Sequence, residues 1–138
     1  MKVSFTILGE PKAKGRPRFT KNGSPYTPED TAIYENLVKV EYIRQCKKQR
    51  FPDDAQLEMR IFAYYSIPKS ASKKRKDEMM KGTIRPTKKP DIDNIVKIIA
   101  DSLNQIAYKD DSQIIEMTVT KHYSEEPRVT VLIEDMGK

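Results

Sequence analysis

Asp91, Asp93, Lys97, Asp110 and Asp111 have the side-chain types and spacing for chemistry on an anionic substrate. Asp91 and Asp93 stand two residues apart, Lys97 follows the second by four, and Asp110-Asp111 arrive after the connection Gln105-Ile106-Ala107-Tyr108-Lys109. Carboxylates that gather in an otherwise basic chain repel one another unless a cation neutralises them, and a divalent metal would do so. A plainer account is also open. The first acids would favour the positive end of a helix, and Asp93, Lys97 and Asp101 would form surface ion pairs worth about 0.3–0.5 kcal/mol each.

Either account needs an element that fixes these side chains. Ile92, Ile95, Val96, Ile99 and Leu103 recur at helical rather than alternating spacing. Pro90 biases Lys89 away from helical geometry, so the spacing predicts a loop ending at Pro90 and a helix starting near Asp91. Asp93, Lys97 and Asp101, at i, i+4 and i+8, then share a face away from the apolar stripe. A turn returning Asp110-Asp111 to that helix would bring the two acid pairs together.

Charge along the chain is uneven. The 138 residues carry a net charge of +6. Residues 1–28 hold six Lys/Arg against one Glu, a net of +5, and residues 69–89 hold nine against two acids, a net of +7. Residues 91–116 hold two Lys against six acids, a net of −4. Basic segments attract a polyanion, and an acidic island among them tolerates one only with a metal between. This distribution suits a metal-dependent enzyme acting on nucleic acid. The single cysteine, Cys46, has no CxxC partner and only His122 as a possible imidazole, which argues against zinc and thiol chemistry. One cysteine and no apolar opening segment fit a reduced, intracellular (cytoplasmic) setting. No stretch approaches the roughly 18 apolar residues of a membrane span.

In chain order, Val3, Phe5 and Ile7 alternate as a first strand. Residues 12–26 hold glycines, prolines and basic side chains that oppose any regular element, with Asn22-Gly23 as a tight turn at the tip. Lys14, Arg16 and Arg18 there suit phosphate, and Phe19 or Tyr26 suits a base; a merely solvated loop is the alternative. Thr27-Pro28-Glu29-Asp30 reads as a helix start with Thr27 as N-cap, the helix running to about Lys48 with Ile33, Leu37, Val40 and Tyr34 inward. Leu57, Met59, Ile61, Ala63 and Tyr65 alternate as a second strand. Ser70 is the expected cap of a short basic helix through Lys81, ending near Gly82 and carrying Lys73, Lys74, Arg75 and Lys76. Arg85, Lys88 and Lys89 continue the basic run toward the acids. Ile115, Met117 and Val119, then Val129, Val131 and Ile133, form two last strands, expected to pair as an antiparallel hairpin around Ser124-Glu125-Glu126-Pro127. The order β-α-β-α-α-β-β indicates one α+β domain over residues 1–138 with a mixed sheet. No Gly-rich phosphate loop is present, so no nucleotide cofactor is expected.

Three segments in combination carry a resemblance. Lys14-Gly15-Arg16-Pro17-Arg18 leading to Tyr26-Thr27-Pro28, Lys89-Pro90-Asp91-Ile92-Asp93-Asn94 with Lys97, and Asp110-Asp111-Ser112-Gln113 before a strand resemble the RusA family of Holliday junction resolvases, over nearly the whole chain. The resemblance implies a phage- or prophage-type homodimer that cuts four-way, branched DNA with Mg²⁺ or Mn²⁺. It implies Asp91, Asp93 and Asp111 as catalytic, metal-holding carboxylates, Lys97 as the functional lysine, and Asp110 as a neighbouring acid of the metal site. Which of Asp110 and Asp111 points inward stays open. So do two other readings: a non-catalytic basic DNA-binding module, and a metal-dependent nuclease of flap or single-stranded specificity.

Overall fold

The computed structural model describes residues 1–15, 18–23, 25–26 and 28–137, with the backbone alone of Arg18, Pro25 and Tyr26. Three strands carry the alternation the sequence shows. Strand β1 (Lys2–Leu8) buries Val3, Phe5 and Ile7. After the ribbon strands β2 (Arg18–Phe19) and β3 (Pro25–Tyr26) and helix α1 (Glu29–Cys46), strand β4 (Leu57–Ser66) buries Leu57, Met59, Ile61, Ala63 and Tyr65. Helices α2 (Lys73–Lys81) and α3 (Ile92–Ser102), a 3-10 turn at Asp111–Gln113 and strand β5 (Ile114–Ser124) follow. The last strand, β6 (Arg128–Asp135), buries Val129, Val131 and Ile133. Each fully buried side chain of this size contributes about 1.5–3 kcal/mol.

The sheet order is β1-β6-β4-β5, with β5 parallel to β4 and the other neighbours antiparallel. The architecture is therefore α+β with a mixed sheet, as the pattern indicated. The expected β5–β6 hairpin does not form, because β4 lies between them and pairs with both. Next-but-one strands stand about 10 Å apart, and the three linking residues 125–127 can span roughly that distance when extended. β5 suits an edge: Ile115, Glu116 and Thr118 are exposed, whereas β4 is buried at every second residue. The parallel β4–β5 pair needs a long crossover, which α2 and α3 supply.

Several local expectations shift. The basic loop carries a small antiparallel ribbon, β2 with β3, around a turn at Gly23, which has φ of 83° and whose N–H donates to the Thr20 carbonyl at 2.9 Å. α1 is N-capped by Pro28, while Thr27 lies outside the described residues. It ends at Cys46 because Lys47 and Lys48 turn into left-handed backbone, φ 54° and 60°. Its inward side is Tyr34, Val38, Tyr42 and Cys46; Ile33, Leu37 and Val40, expected inward, are 63%, 36% and 48% exposed. The tyrosine rings win the core because they offer more area and Tyr42 keeps its hydroxyl satisfied: it meets Phe5 edge-on at 5.3 Å and donates to the Gln49 carbonyl at 2.5 Å. α2 is capped by Ser72, whose hydroxyl accepts from the Arg75 N–H at 3.2 Å, since Ser70 is taken into the turn that Pro68 and Ala71 close. No described helix is long and apolar enough to cross a membrane.

Candidate active site

Helix α3 places the first acids. Asp91 is its N-cap residue, in extended conformation, and its side chain makes no capping hydrogen bond. Asp93 lies in the first turn. The side chains of Asp91, Asp93 and Lys97 are exposed and form no hydrogen bond or ion pair among the described residues. The helix is anchored on its other side by Ile95, Ile98, Ile99 and Leu103, all buried, while Ile92 stays 44% exposed. Tyr65, at the end of β4, fixes the approach to the helix: its hydroxyl donates to the Pro90 carbonyl at 2.5 Å. Burial, with the nearby Asp91 charge adding, pushes that hydroxyl up to about 12.

The far end of the same face meets the second acid pair. Asp101 and Asp111 share a hydrogen bond between carboxyls. Burial first, then that bond and the charges of Asp110 and Asp101, hold the Asp111 carboxyl above its ordinary range. Asp110 is engaged differently. Its carboxylate accepts the Ser112 N–H at 3.0 Å and caps the 3-10 turn, and hydrogen bonding from the Ser112 side chain first, then from that N–H, holds it below the ordinary range. Gln113 completes the box, accepting from the N–H groups of Lys109 and Asp110 at 3.0 and 3.2 Å while its amide donates to the Pro52 and Ala55 carbonyls. The Asp111 N–H donates to Asn104 Oδ1 at 2.8 Å, and Tyr108, wholly buried beneath, donates to the Ala100 carbonyl at 2.7 Å. The Asp-Asp-Ser-Gln run is thus one structural unit: Asp110 and Gln113 shape the turn, and Asp111 is turned toward α3.

Lys14, read from sequence as a phosphate contact, sits inside this corner. Its ammonium lies 2.9 Å from both Glu35 of α1 and Asp101 of α3. Burial lowers its pKa, but the hydrogen bonds to Asp101 and Glu35 outweigh that and the net shift is upward. Sequence reasoning had no signal for Glu35, because the contact joins residues 21 apart in the chain and the Asp101 contact joins residues 87 apart. The other basic candidates stay outside. Lys73, Lys74, Arg75 and Lys76 are exposed on α2, and Lys88 and Lys89 are exposed just before α3. Arg85 spends Nε on the Lys121 carbonyl at 2.8 Å, and Lys121 in turn reaches the Lys88 carbonyl at 2.7 Å, tying this loop to β5. Arg16 lies outside the described residues, and Arg18 is placed in β2 by its backbone alone. A cavity of about 930 Å³ lies against α2, lined by Ile67, Lys69, Lys73, Lys76 and Met80, and not at the carboxylates.

The donor set Asp91, Asp93, Asp101, Asp110 and Asp111 is all carboxylate oxygen, with no imidazole or thiol, which fits a hard divalent cation. The unengaged side chains of Asp91 and Asp93 and the Asp101–Asp111 contact agree with that chemistry. Among the described residues, no three His, Cys, Asp or Glu side chains converge closely enough to hold an ion as they stand.

Two comparisons bear on this arrangement. A protein of Bacillus subtilis (strain 168), "Uncharacterized protein YqaN", is 40% identical over 140 residues, which cover 98% of this chain and 97% of that one. Residues 9–134 match the family model described as "Endodeoxyribonuclease RusA", a span holding all of α1, α3, the acidic turn and the basic helix. With the acids at both ends of one α3 face and the family's sequence pattern running almost from end to end, the chain belongs to the RusA endodeoxyribonuclease family.

Proposed function

We propose that this protein hydrolyses phosphodiesters at four-way DNA junctions, making paired symmetric nicks as a homodimer with Mg²⁺ or Mn²⁺. The observation that carries the reading is one face of α3: unpartnered Asp93 and Lys97, then Asp101 in contact with Asp111. Asp91, Asp93 and Asp111 would hold the cation, with Asp110 at its margin, and the bound ion would supply Lewis acidity toward the phosphodiester and lower the pKa of water.

The chain's own residues divide the remaining work. Lys97, one helical turn past Asp93 and free of any carboxylate, meets the charge that builds on the phosphate oxygens. Lys14 neutralises Asp101 and Glu35, so the corner presents less repulsion to an incoming phosphate. Tyr65 and Tyr108 hold the backbone at the two ends of α3. Lys73, Lys74, Arg75, Lys76, Lys88 and Lys89 attract the polyanion without fixing its register.

The test is a synthetic mobile four-way junction and a matched linear duplex, each incubated with Mg²⁺ or EDTA and with wild type or Asp93→Asn. Paired nicks confined to the junction are expected, requiring metal. Asp93→Asn should slow them on the order of 10³-fold, about 4 kcal/mol, while junction binding persists. Binding without nicks under any divalent ion would leave a DNA-binding module instead, and nicks confined to flaps or single strands would move the substrate class.

A further inference from the structure

Lys14 is gripped from three directions, unlike the exposed Lys12 and Lys97. Its ammonium donates to Glu35 Oε2 on α1 and to Asp101 Oδ2 on α3, each at 2.9 Å, and the N–H of the next residue, Gly15, donates to Thr31 Oγ1 at 2.9 Å. Thr31 and Glu35 stand four residues apart on α1, so one side of that helix holds the loop backbone and the ammonium together. Thr31 is buried, and a Cβ at Gly15 would come within 2.7 Å of its hydroxyl oxygen and 3.2 Å of Pro28 Cγ. Only glycine lets the loop lie this close to the helix.

Thr31 and Glu35 would anchor the loop by themselves, so the reach to Asp101 needs another reason. Asp101 lies two turns beyond Asp93 on one α3 face and touches Asp111, which puts its carboxylate in reach of any cation that Asp111 holds. Mg²⁺ takes one or two carboxylates and keeps positions for water and substrate phosphate, whereas each further carboxylate tightens the ion and fills such a position. Lys97, four residues before Asp101, stands where a helical ion pair can form. Asp101 is instead bonded from 87 residues away, and the Lys97 side chain stays without a partner among the described residues.

We propose that Lys14 is a positioning residue that withholds Asp101 from the cation site, with Gly15 and Thr31 fixing it there. An ammonium seated on Asp101 Oδ2 repels a second cation from that oxygen. The inference rests on the proposed reaction only for the presence of a divalent ion. It divides the two lysines of the corner: Lys14 occupies Asp101, and Lys97 is left for phosphate.

The experiment titrates Mn²⁺ into the full chain without DNA and reads the free ion by its electron paramagnetic resonance signal. Lys14→Met should bind Mn²⁺ on the order of 10-fold tighter, because Asp101 is released. A lost positive charge would by itself also tighten binding, so a double-mutant cycle with Asp101→Asn separates the two causes. In the Asp101→Asn background the gain from Lys14→Met should disappear. Thr31→Val, which keeps every charge but leaves the Gly15 N–H without its acceptor, should tighten binding by about 3-fold. Thr31→Ser should keep the wild-type value. An ammonium that merely supports the fold would loosen the site when removed. Weaker, unchanged or absent Mn²⁺ binding in Lys14→Met would therefore overturn the proposal, as would a gain that persists with Asp101→Asn. Junction cleavage by the same samples distinguishes this idea from the reaction it rests on. Lys14→Met should nick more slowly at saturating Mn²⁺ despite holding the ion more tightly. The expected binding cycle in a protein that never nicks would keep the withheld carboxylate and remove the nuclease, and paired nicks with Mn²⁺ binding untouched by Lys14→Met would do the reverse.

Discussion

The acidic corner and helix α2 are both clusters of charge, built in opposite ways. At the corner, α1, α3, the N-terminal loop and the turn before β5 converge: Lys14 joins Glu35 to Asp101, Asp101 meets Asp111, and Tyr108 packs beneath. On α2, Lys73, Lys74, Arg75 and Lys76 face solvent, and only Met79 of the helix is buried. Lys81 pairs with Asp77 one turn back, at 2.9 Å on an exposed surface. The difference follows from what each cluster must do. Chemistry at a phosphodiester needs oxygens and a proton donor held to a fraction of an ångström, which only core-anchored elements provide. Attraction of a polyanion depends on summed charge and tolerates mobile side chains.

Substitutions should expose that difference in descending order. Lys14→Met removes the cation between two partly buried carboxylates and should cost about 1–2 kcal/mol in urea unfolding, between a surface and a buried pair. Because the folded Lys14 pKa lies above its ordinary value of 10.5, the wild-type advantage should be full below that value and fade as pH rises through the folded one. A difference already gone by about pH 9 would detach the ammonium from the corner.

The adjacent acids offer a finer test, since they should respond with opposite signs. The Asp111 carboxyl is held high by burial and by Asp101, so its ionisation disfavours the fold. In metal-free buffer at neutral pH, Asp111→Asn should raise the melting midpoint, and the gain should vanish below the ordinary value of 3.8. The Asp110 carboxyl is held low by Ser112, so its contribution is present above 3.8 and lost as pH falls through the folded value. Asp110→Asn should therefore lower the midpoint at neutral pH. Shifts of the same sign would mean that the two acids do not differ as their hydrogen bonds indicate.

The smallest structural effect belongs to α2. Lys73→Ala, Lys74→Ala and Lys76→Ala together should leave unfolding within about 0.5 kcal/mol of wild type. They should reduce the slope of log binding constant against log salt by roughly 0.9 for each duplex phosphate that the variant no longer neutralises. A large loss of stability with an unchanged slope would make α2 a structural element and void the contrast.

Much of this was legible from local pattern. Alternation marked β1, β4 and β6, helical spacing marked α3, and Pro90 marked its start, because periodicity and backbone restriction are properties of a few neighbouring residues. The order of acids and lysine along α3 needed nothing more. The resemblance to the RusA family likewise came from short runs, and the family match extends it across residues 9–134.

Other choices were not local. In α1 both sides of the helix are apolar enough to bury, and Tyr34, Val38 and Tyr42 prevailed over Ile33, Leu37 and Val40 through their fit against Phe5 and α3. The β5–β6 turn reads the same whether the strands pair directly or straddle β4, and β4, buried on alternate residues and hydrogen-bonded on both edges, took the centre. Asp110 and Asp111 are chemically identical, and only the capping of the 3-10 turn gives one to the backbone and the other to α3. Lys14 looks in sequence like its basic neighbours, and in the fold it is the cation of the acidic corner. The sequence determined which segments form and where the acids and lysines stand along them, because those depend on near neighbours; which segments meet, and hence which charges face one another, was decided only when distant parts of the chain competed for one core.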